Sequence, residues 1–267
     1  MILCGINKNA LSAFKVECPI IAVTGTNGKT SVTNYLSYIF KNYSGNIITN
    51  SQGNNLDTGI CSLLLDKCDI RGRIKADFLV LETDESHVPV VYSKLKLQTL
   101  VLLNLFRDQL DRNGEVETLI LKIKGFLDTF EGNVVLNADD PNIARLGKAN
   151  PNNKNIFYFS VERYSGATNE PYEVGEGKFC PFCGTKLTYD YYQYSHIGRF
   201  HCDKCGFGNI KPFVEVKNVN QSVPSFEVNG ETYRTRHNSI YYMYNMAAVY
   251  TTCLLYTSPS PRDGLLS

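Results

Sequence analysis

The run Pro19-Ile20-Ile21-Ala22-Val23 followed by Thr24-Gly25-Thr26-Asn27-Gly28-Lys29-Thr30-Ser31 limits what this chain can fold into more than any other stretch. An apolar segment, a glycine-rich turn and a helix-like segment arrive in the order strand, loop, helix. Two glycines let the backbone turn sharply and aim successive N–H groups at one point, and the helix N-terminus adds the positive end of its dipole. Such a loop suits a phosphate group. Gly25, Thr26, Asn27, Gly28 and Ser31 would line it, Lys29 would reach the terminal phosphates of a nucleotide such as ATP, and Thr30 would ligate Mg²⁺. The GxxxxGK[ST] pattern has Gly where this chain has Val23, so only its second half matches. A purely structural glycine turn is the competing reading. Val32, Tyr35, Leu36, Ile39, Phe40 and Tyr43 recur at helical spacing behind the loop and favour the phosphate site.

The same alternation continues along the chain. Apolar runs at 20–23, 46–49, 78–82, 100–104, 134–137 and 156–159 read as strands, and 29–41, 56–65, 115–130 and 141–146 read as helices. The strands are nearly continuous in Val, Ile and Leu, which fits burial on both faces. The expected fold is α/β, a mostly parallel sheet with covering helices, over residues 1–159. Residues 160–236 change character, with Gly, Tyr, Asn and paired cysteines, and read as a small β-rich insertion. Residues 237–255 return to the main domain with a helix at 243–255. From Tyr256 onward the pattern breaks abruptly, so 256–267 reads as a foreign tail outside the fold.

Composition narrows the function. The 267 residues carry 27 Lys and Arg against 26 Asp and Glu, which gives no electrostatic case for binding nucleic acid. The chain shows no apolar run long enough for a membrane span and no secretory leader pattern, so a cytoplasmic protein is expected. Of nine cysteines, Cys4, Cys18, Cys61, Cys68 and Cys253 are scattered and read as small core residues. The other four form an ordered set: Cys180-Pro181-Phe182-Cys183-Gly184 and Cys202-Asp203-Lys204-Cys205-Gly206 are two CxxCG knuckles, with eighteen residues between Cys183 and Cys202. Four thiolates on two tight turns make a closed tetrahedral shell for a structural Zn²⁺. Ribbons of this kind often bind nucleic acid, but no basic residues cluster here.

In an open α/β sheet, ligands sit beyond the carboxyl ends of the strands. After 78–81 comes Glu82-Thr83-Asp84-Glu85, where Glu82 could hold Mg²⁺ opposite Thr30. Thr49 and Ser51 follow another strand; completing the metal shell and ordinary loop polarity are both open for them. After 100–103, the groups Arg107, Asp108, Asp111 and Arg112 pack charge directly behind a buried strand, which costs desolvation unless they pair with each other or a ligand. Asp140, before Pro141, reads equally as a helix cap or a site residue.

At these residues the chain resembles the central domain of the Mur ligases, ATP-dependent carboxylate–amine ligases of peptidoglycan synthesis. Ala22 to Thr30 looks like that family's phosphate loop, including its missing first glycine. The segments from Asn104 to Arg112 and from Asn137 to Pro141 are similar to two further family stretches. Gln109 stands where most members carry His, and with Leu105-Phe106-Arg107 before it resembles the MurT branch, in which a four-cysteine ribbon interrupts the domain. The segment from Ser239 to Ala248 is similar to one that contacts adenine through Asn, which maps to Asn245; Ser239 and Tyr242 depart from the family pattern. The resemblance implies a ligase subunit that amidates the D-glutamate α-carboxylate of lipid II, using ATP, Mg²⁺ and ammonia from a GatD-like glutamine amidotransferase in a heterodimer. Lys29 and Glu82 would be its catalytic groups. The family's C-terminal domain is expected to be missing, so nucleotide and zinc binding without turnover is expected of the chain alone. Another Mur-type amino-acid ligase and a non-catalytic nucleotide- and zinc-binding module are the alternatives.

Overall fold

The computed structural model describes residues 9–50, 54–106, 115–172 and 177–257. In chain order the strands are β1 Lys15–Val16, β2 Ile20–Thr24, β3 Ile47–Thr49, β4 Arg73–Ile74, β5 Phe78–Glu82, β6 Thr99–Leu102, β7 Asn133–Asn137, β8 Ile156–Val161, β9 Thr188–Tyr194, β10 Ile197–His201, β11 Val214–Asn220, β12 Ser225–Val228 and β13 Glu231–Arg234. The α-helices are α1 Lys29–Ser44, α2 Asp57–Lys67, α3 Val88–Tyr92, α4 Glu115–Leu127, α5 Pro141–Ala144 and α6 Ile240–Thr257.

Nine strands form one sheet in the order β13-β12-β11-β8-β7-β6-β2-β5-β3. From β3 to β11 every pairing is parallel, and the β12–β13 hairpin adds an antiparallel edge. All five residues of β2 and all five of β5 are buried. Because side chains alternate between faces, Ile20 and Ala22 pack to one side and Ile21 and Val23 to the other. The first side is covered by Ile60 and Leu64 of α2, Val88 and Val91 of α3, and Ile120 and Ile123 of α4. The second is covered by Val32, Leu36 and Phe40 of α1 and by Met243, Ala247 and Ala248 of α6. Full burial of each large side chain contributes roughly 2 kcal/mol, so these two layers hold the sheet.

The register sets the site. Val23 pairs with Glu82 across to β5, and Thr24 pairs with Leu102 across to β6. The carboxyl ends of β2, β5 and β6 therefore finish at one level, with the loop after β2 between two acidic or polar strand exits.

Two boundaries differ from the sequence reading. The stretch 160–236 is not all insertion: β8 runs on to Val161, and β11 pairs with it in parallel, Val214 against Phe159 and Val216 against Val161. Val214 and Val216 are fully buried. Their apolar alternation marks a strand of the main sheet, and only the segment between β8 and β11 stands off it as a ribbon. Nor does the fold end at Leu255. Tyr256 lies in α6, its ring edge-on to Phe40 at 5.6 Å and Phe78 at 5.3 Å, with its hydroxyl 2.6 Å from Thr99 Oγ1. An aromatic ring on the buried face of a helix is core, whatever follows it. The tail from 258 on lies outside the described residues.

Candidate functional site

β2 delivers the chain into the loop at Gly25, whose φ of +133° and close backbone neighbours leave no room for a side chain: a Cβ would sit 3.0 Å from the backbone N and O of Asn104. Asn104 then fixes the loop from the exit of β6. The Thr26 N–H donates to Asn104 O at 2.9 Å, the Asn27 N–H donates to Asn104 Oδ1 at 2.9 Å, and Asn104 Nδ2 donates to Asn27 O at 3.0 Å. The Phe106 N–H donates to Thr26 Oγ1 at 3.0 Å. Gly28, at φ +92°, caps α1. The loop is thus a fixed turn opening onto a sixteen-residue helix N-terminus, an arrangement able to take an anion.

Lys29 lies over this turn. Its Nζ donates to Gly25 O at 2.6 Å and pairs with Glu85 Oε1 at 3.3 Å, with both side chains mostly shielded. Thr30 Oγ1 donates to Glu82 Oε2 at 2.7 Å. Glu82 is 4% exposed, and Asn55 Nδ2 donates to its other carboxylate oxygen at 3.3 Å. Asn50 straddles its backbone, accepting from Glu82 N–H and donating to Glu82 O, both at 2.8 Å. A hydroxyl and a buried carboxylate at one point beside the loop are the hard oxygen donors that Mg²⁺ takes together with substrate phosphates, so these residues fit that ion. Thr49 Oγ1 is buried without a partner among the described residues; Ser51 lies outside them.

Beside the loop, a cleft of about 330 Å³ is lined by Ser31, Tyr35, His237, Ser239, Tyr242 and Asn245, among others. Tyr35 and Tyr242 meet edge-on at 6.0 Å, and the His237 ring lies 5.0 Å from Tyr242. Ser239 caps α6, its Oγ accepting from the Tyr242 N–H at 3.3 Å. Asn245 packs on the loop itself: a Cβ on Gly28 would lie 2.4 Å from Asn245 Oδ1. An aromatic wall with amide groups at its end has the lining of a site for a flat heterocycle.

Asp139 and Asp140 turn inward. Asp140 Oδ1 accepts from Asn142 N–H at 2.9 Å, as a helix cap does, and Oδ2 accepts from Leu105 N–H at 3.1 Å. Asp139 Oδ2 accepts from the Tyr244 hydroxyl at 2.7 Å and Val161 N–H at 3.1 Å. Complete burial pushes the Asp139 carboxyl up to about 6, against the pull of those two donors.

The ribbon brings Cys180, Cys183, Cys202 and Cys205 together, all four Sγ atoms within 4.8 Å of one another. The two knuckles share one hydrogen-bond pattern: Gly184 N–H donates to Cys180 O and Gly206 N–H to Cys202 O, each at 2.9 Å. The nearest sulfurs are 3.4 and 3.5 Å apart, Cys180 to Cys205 and Cys183 to Cys202. A disulfide needs about 2.05 Å, whereas a tetrahedron with Zn–S near 2.3 Å spaces its sulfurs by roughly 3.8 Å. The donor set therefore fits a closed thiolate site.

A phosphate-type loop, a Thr–carboxylate pair from the neighbouring strand and a parallel sheet can be tested against known proteins. The Mur ligase middle domain matches residues 23–200. This chain belongs to the Mur ligase family. Among its curated relatives, the MurT subunits of lipid II isoglutaminyl synthase (glutamine-hydrolyzing) from Staphylococcus aureus (strain COL) and Streptococcus pneumoniae (strain ATCC BAA-255 / R6) are each 31% identical. The alignments cover 87% and 91% of this chain and 51% and 54% of theirs. The chain thus spans about half the length of the curated relatives it matches. A pseudomurein peptide ligase type C from Methanothermus fervidus superposes with a TM-score of 0.71 over 93% of this chain and 48% of that one, at 24% identity, which shows a shared fold.

For this Mur ligase chain, the structure brings Glu82 and Asn245 to the loop residues Gly25, Thr26, Asn27, Gly28, Lys29, Thr30 and Ser31. The group Arg107, Asp108, Gln109, Asp111 and Arg112 lies outside the described residues. Sequence reasoning missed Asn104 as the loop's clamp, Glu85 as the partner of Lys29, and Tyr35 and His237 as the rings that join Tyr242 in the wall. Asn104 had a signal, as the first polar residue after a buried strand; the ring wall had none, because Tyr35 lies about two hundred residues before His237 and Tyr242. Among the described residues, no helix is long and apolar enough to cross a membrane.

Proposed function

We propose that this chain is the nucleotide-binding domain of a MurT-type ligase subunit that amidates the D-glutamate α-carboxylate of lipid II in the cytoplasm. The observation that carries the reading is the Thr30–Glu82 contact of 2.7 Å at the mouth of the phosphate-type loop; the similarity to MurT subunits supplies the substrate and the reaction.

ATP would lie with its phosphates on the N–H groups of the loop and its adenine against Tyr242 and Asn245. Thr30 and Glu82 would hold Mg²⁺, which, when bound, neutralises charge on the β- and γ-phosphates. A carboxylate oxygen of the substrate attacks the γ-phosphorus, the bond to the bridging oxygen breaks, and ADP leaves. Lys29 releases Glu85 and follows the charge that grows on the transferring group. Ammonia then attacks the acyl carbon of the acyl phosphate, the C–O bond to phosphate breaks, and the surplus proton passes to solvent. A GatD-like glutaminase partner would supply that ammonia from glutamine. The ribbon, with Zn²⁺ on Cys180, Cys183, Cys202 and Cys205, has a structural part.

The test is to incubate the full-length gene product and its glutaminase partner with ATP, Mg²⁺, glutamine and lipid II, and to follow the product by mass spectrometry. Conversion of one stem-peptide carboxylate to amide, abolished by Glu82→Gln, is expected. Transfer of an amino acid instead of ammonia would show another Mur-type ligase, and nucleotide binding with no transfer under any condition would leave a binding module.

A further inference from the structure

The closed end of the β9–β10 hairpin reaches from the ribbon into the exit of β6. Ser195, at φ +46°, turns the chain and His196 enters the protein interior with its side chain 1% exposed. Its Nε2 lies 3.3 Å from Asp140 Oδ1. Both oxygens of Asp140 already accept backbone N–H groups, so Nε2 is the donor of this contact. The Tyr189 hydroxyl donates to His196 O at 3.1 Å and fixes the turn from its own hairpin.

The groups that His196 holds are those that shape the loop. Asp140 accepts from Leu105 N–H, and Leu105 stands between Asn104, which pairs with Thr26 and Asn27, and Phe106, whose N–H donates to Thr26 Oγ1. The Phe106 ring is gripped by the hairpin a second time, 5.0 Å from the His196 ring and 6.0 Å from Tyr194. At the other end, β10 runs directly into Cys202, and Thr188 at the start of β9 donates to Asp203 Oδ2 at 2.7 Å. Cys180, Cys202, Leu187 and Phe200 share one small core there. The seven residues of β9 span roughly 20 Å and join the ribbon core to the turn that carries His196.

We propose that His196 is a positioning residue through which the four-cysteine ribbon sets the shape of the phosphate loop, so that metal occupancy of the ribbon controls nucleotide affinity. This rests on reading Thr24–Ser31 as the phosphate site, and it adds a regulatory input to that site.

The experiment compares wild type with His196→Ala and His196→Gln in the zinc-loaded chain, reading ATP–Mg²⁺ affinity by calorimetry and the backbone amide signals of Thr26 and Asn27 by NMR. His196→Ala is expected to keep its zinc, bind nucleotide about tenfold more weakly and shift both amide signals. His196→Gln, whose amide N–H can still reach Asp140, recovers most of the affinity. Leu121→Ala, exposed on α4 away from ribbon and loop, leaves both readouts unchanged. Chelating zinc from wild type should move the same amides in the same direction. Unchanged affinity and amide signals in zinc-loaded His196→Ala would overturn the coupling, and so would a wild-type loop indifferent to zinc removal, whether or not the Ala variant folds. A wild type that binds no ATP would instead sink the phosphate-site reading, with the amide shifts still deciding whether ribbon and loop are coupled.

Discussion

Thr30 Oγ1 donates to Glu82 Oε2 at 2.7 Å, joining the first turn of α1 to the end of β5 across 52 residues of sequence. The contact follows from the register of β2 with β5, which sets Val23 beside Glu82. It places a metal-type donor pair at the loop mouth before any ligand arrives, and leaves little reorganisation for binding.

Glu82→Gln keeps the shape of the side chain, and the backbone hydrogen bonds of residue 82 with Asn50, while removing the charge. We expect ligase turnover of the full-length enzyme to fall about 10²–10³-fold, with the melting temperature nearly unchanged. Steady-state rates against Mg²⁺ concentration check this. Wild-type rates with an unchanged Mg²⁺ requirement would show that Glu82 holds no metal.

The ribbon core of Cys180, Cys202, Leu187, Phe200 and Phe207 is distinct from the two clusters on the faces of the main sheet. Cys202→Ser should therefore abolish binding of about one zinc per chain and melt the ribbon, while the circular dichroism of the helical layers persists. Metal analysis with thermal scans tests it. A single cooperative transition at the wild-type temperature in a zinc-free variant would contradict the assignment.

Asp139 gives a pH dependence with a definite sign. Its carboxyl rises from near 4 in the unfolded chain to about 6 in the fold because burial opposes its charge. The folded state therefore binds the proton more tightly. The stabilisation from this protonated form is complete below the unfolded value and is lost as pH rises through about 6. The loss amounts to roughly 2–3 kcal/mol. Asp139→Asn can still accept from Tyr244 and Val161, so urea melts between pH 4 and 7 should lose this slope and show a variant at least as stable as wild type at neutral pH. An unaltered slope would place the titration elsewhere.

Much of this molecule is legible in the sequence, for reasons that particular residues show. Strands buried on both faces leave an unbroken apolar signal, so β2 and β5 are read to within a residue. The loop glycines and the cysteine knuckles are local patterns whose chemistry needs no tertiary context. What the sequence conceals is long-range. Val214–Asn220 looks like part of the ribbon until β8 is seen beside it, and Tyr256 looks like tail until Phe40 and Phe78 are seen around its ring. Asn104, Glu85 and His196 are ordinary polar residues whose roles exist only through partners 56 to 90 positions away.

The last prediction concerns Gly28 and Asn245, which the fold presses together. Gly28 has φ +92°, a conformation that costs an L-residue roughly 1–2 kcal/mol. A methyl group there would also lie 2.4 Å from Asn245 Oδ1, pushing the amide away from the loop. Gly28→Ala should thus destabilise by more than the backbone strain alone and weaken nucleotide binding by displacing Asn245. In an Asn245→Ala background the collision is gone and only the strain remains. Chemical denaturation of the two single variants and the double should show the double less destabilised than the sum, by about 1 kcal/mol. Additive effects would mean that Asn245 swings clear at no cost, and the amide would then be a mobile contact for the base and not a fixed wall of its site.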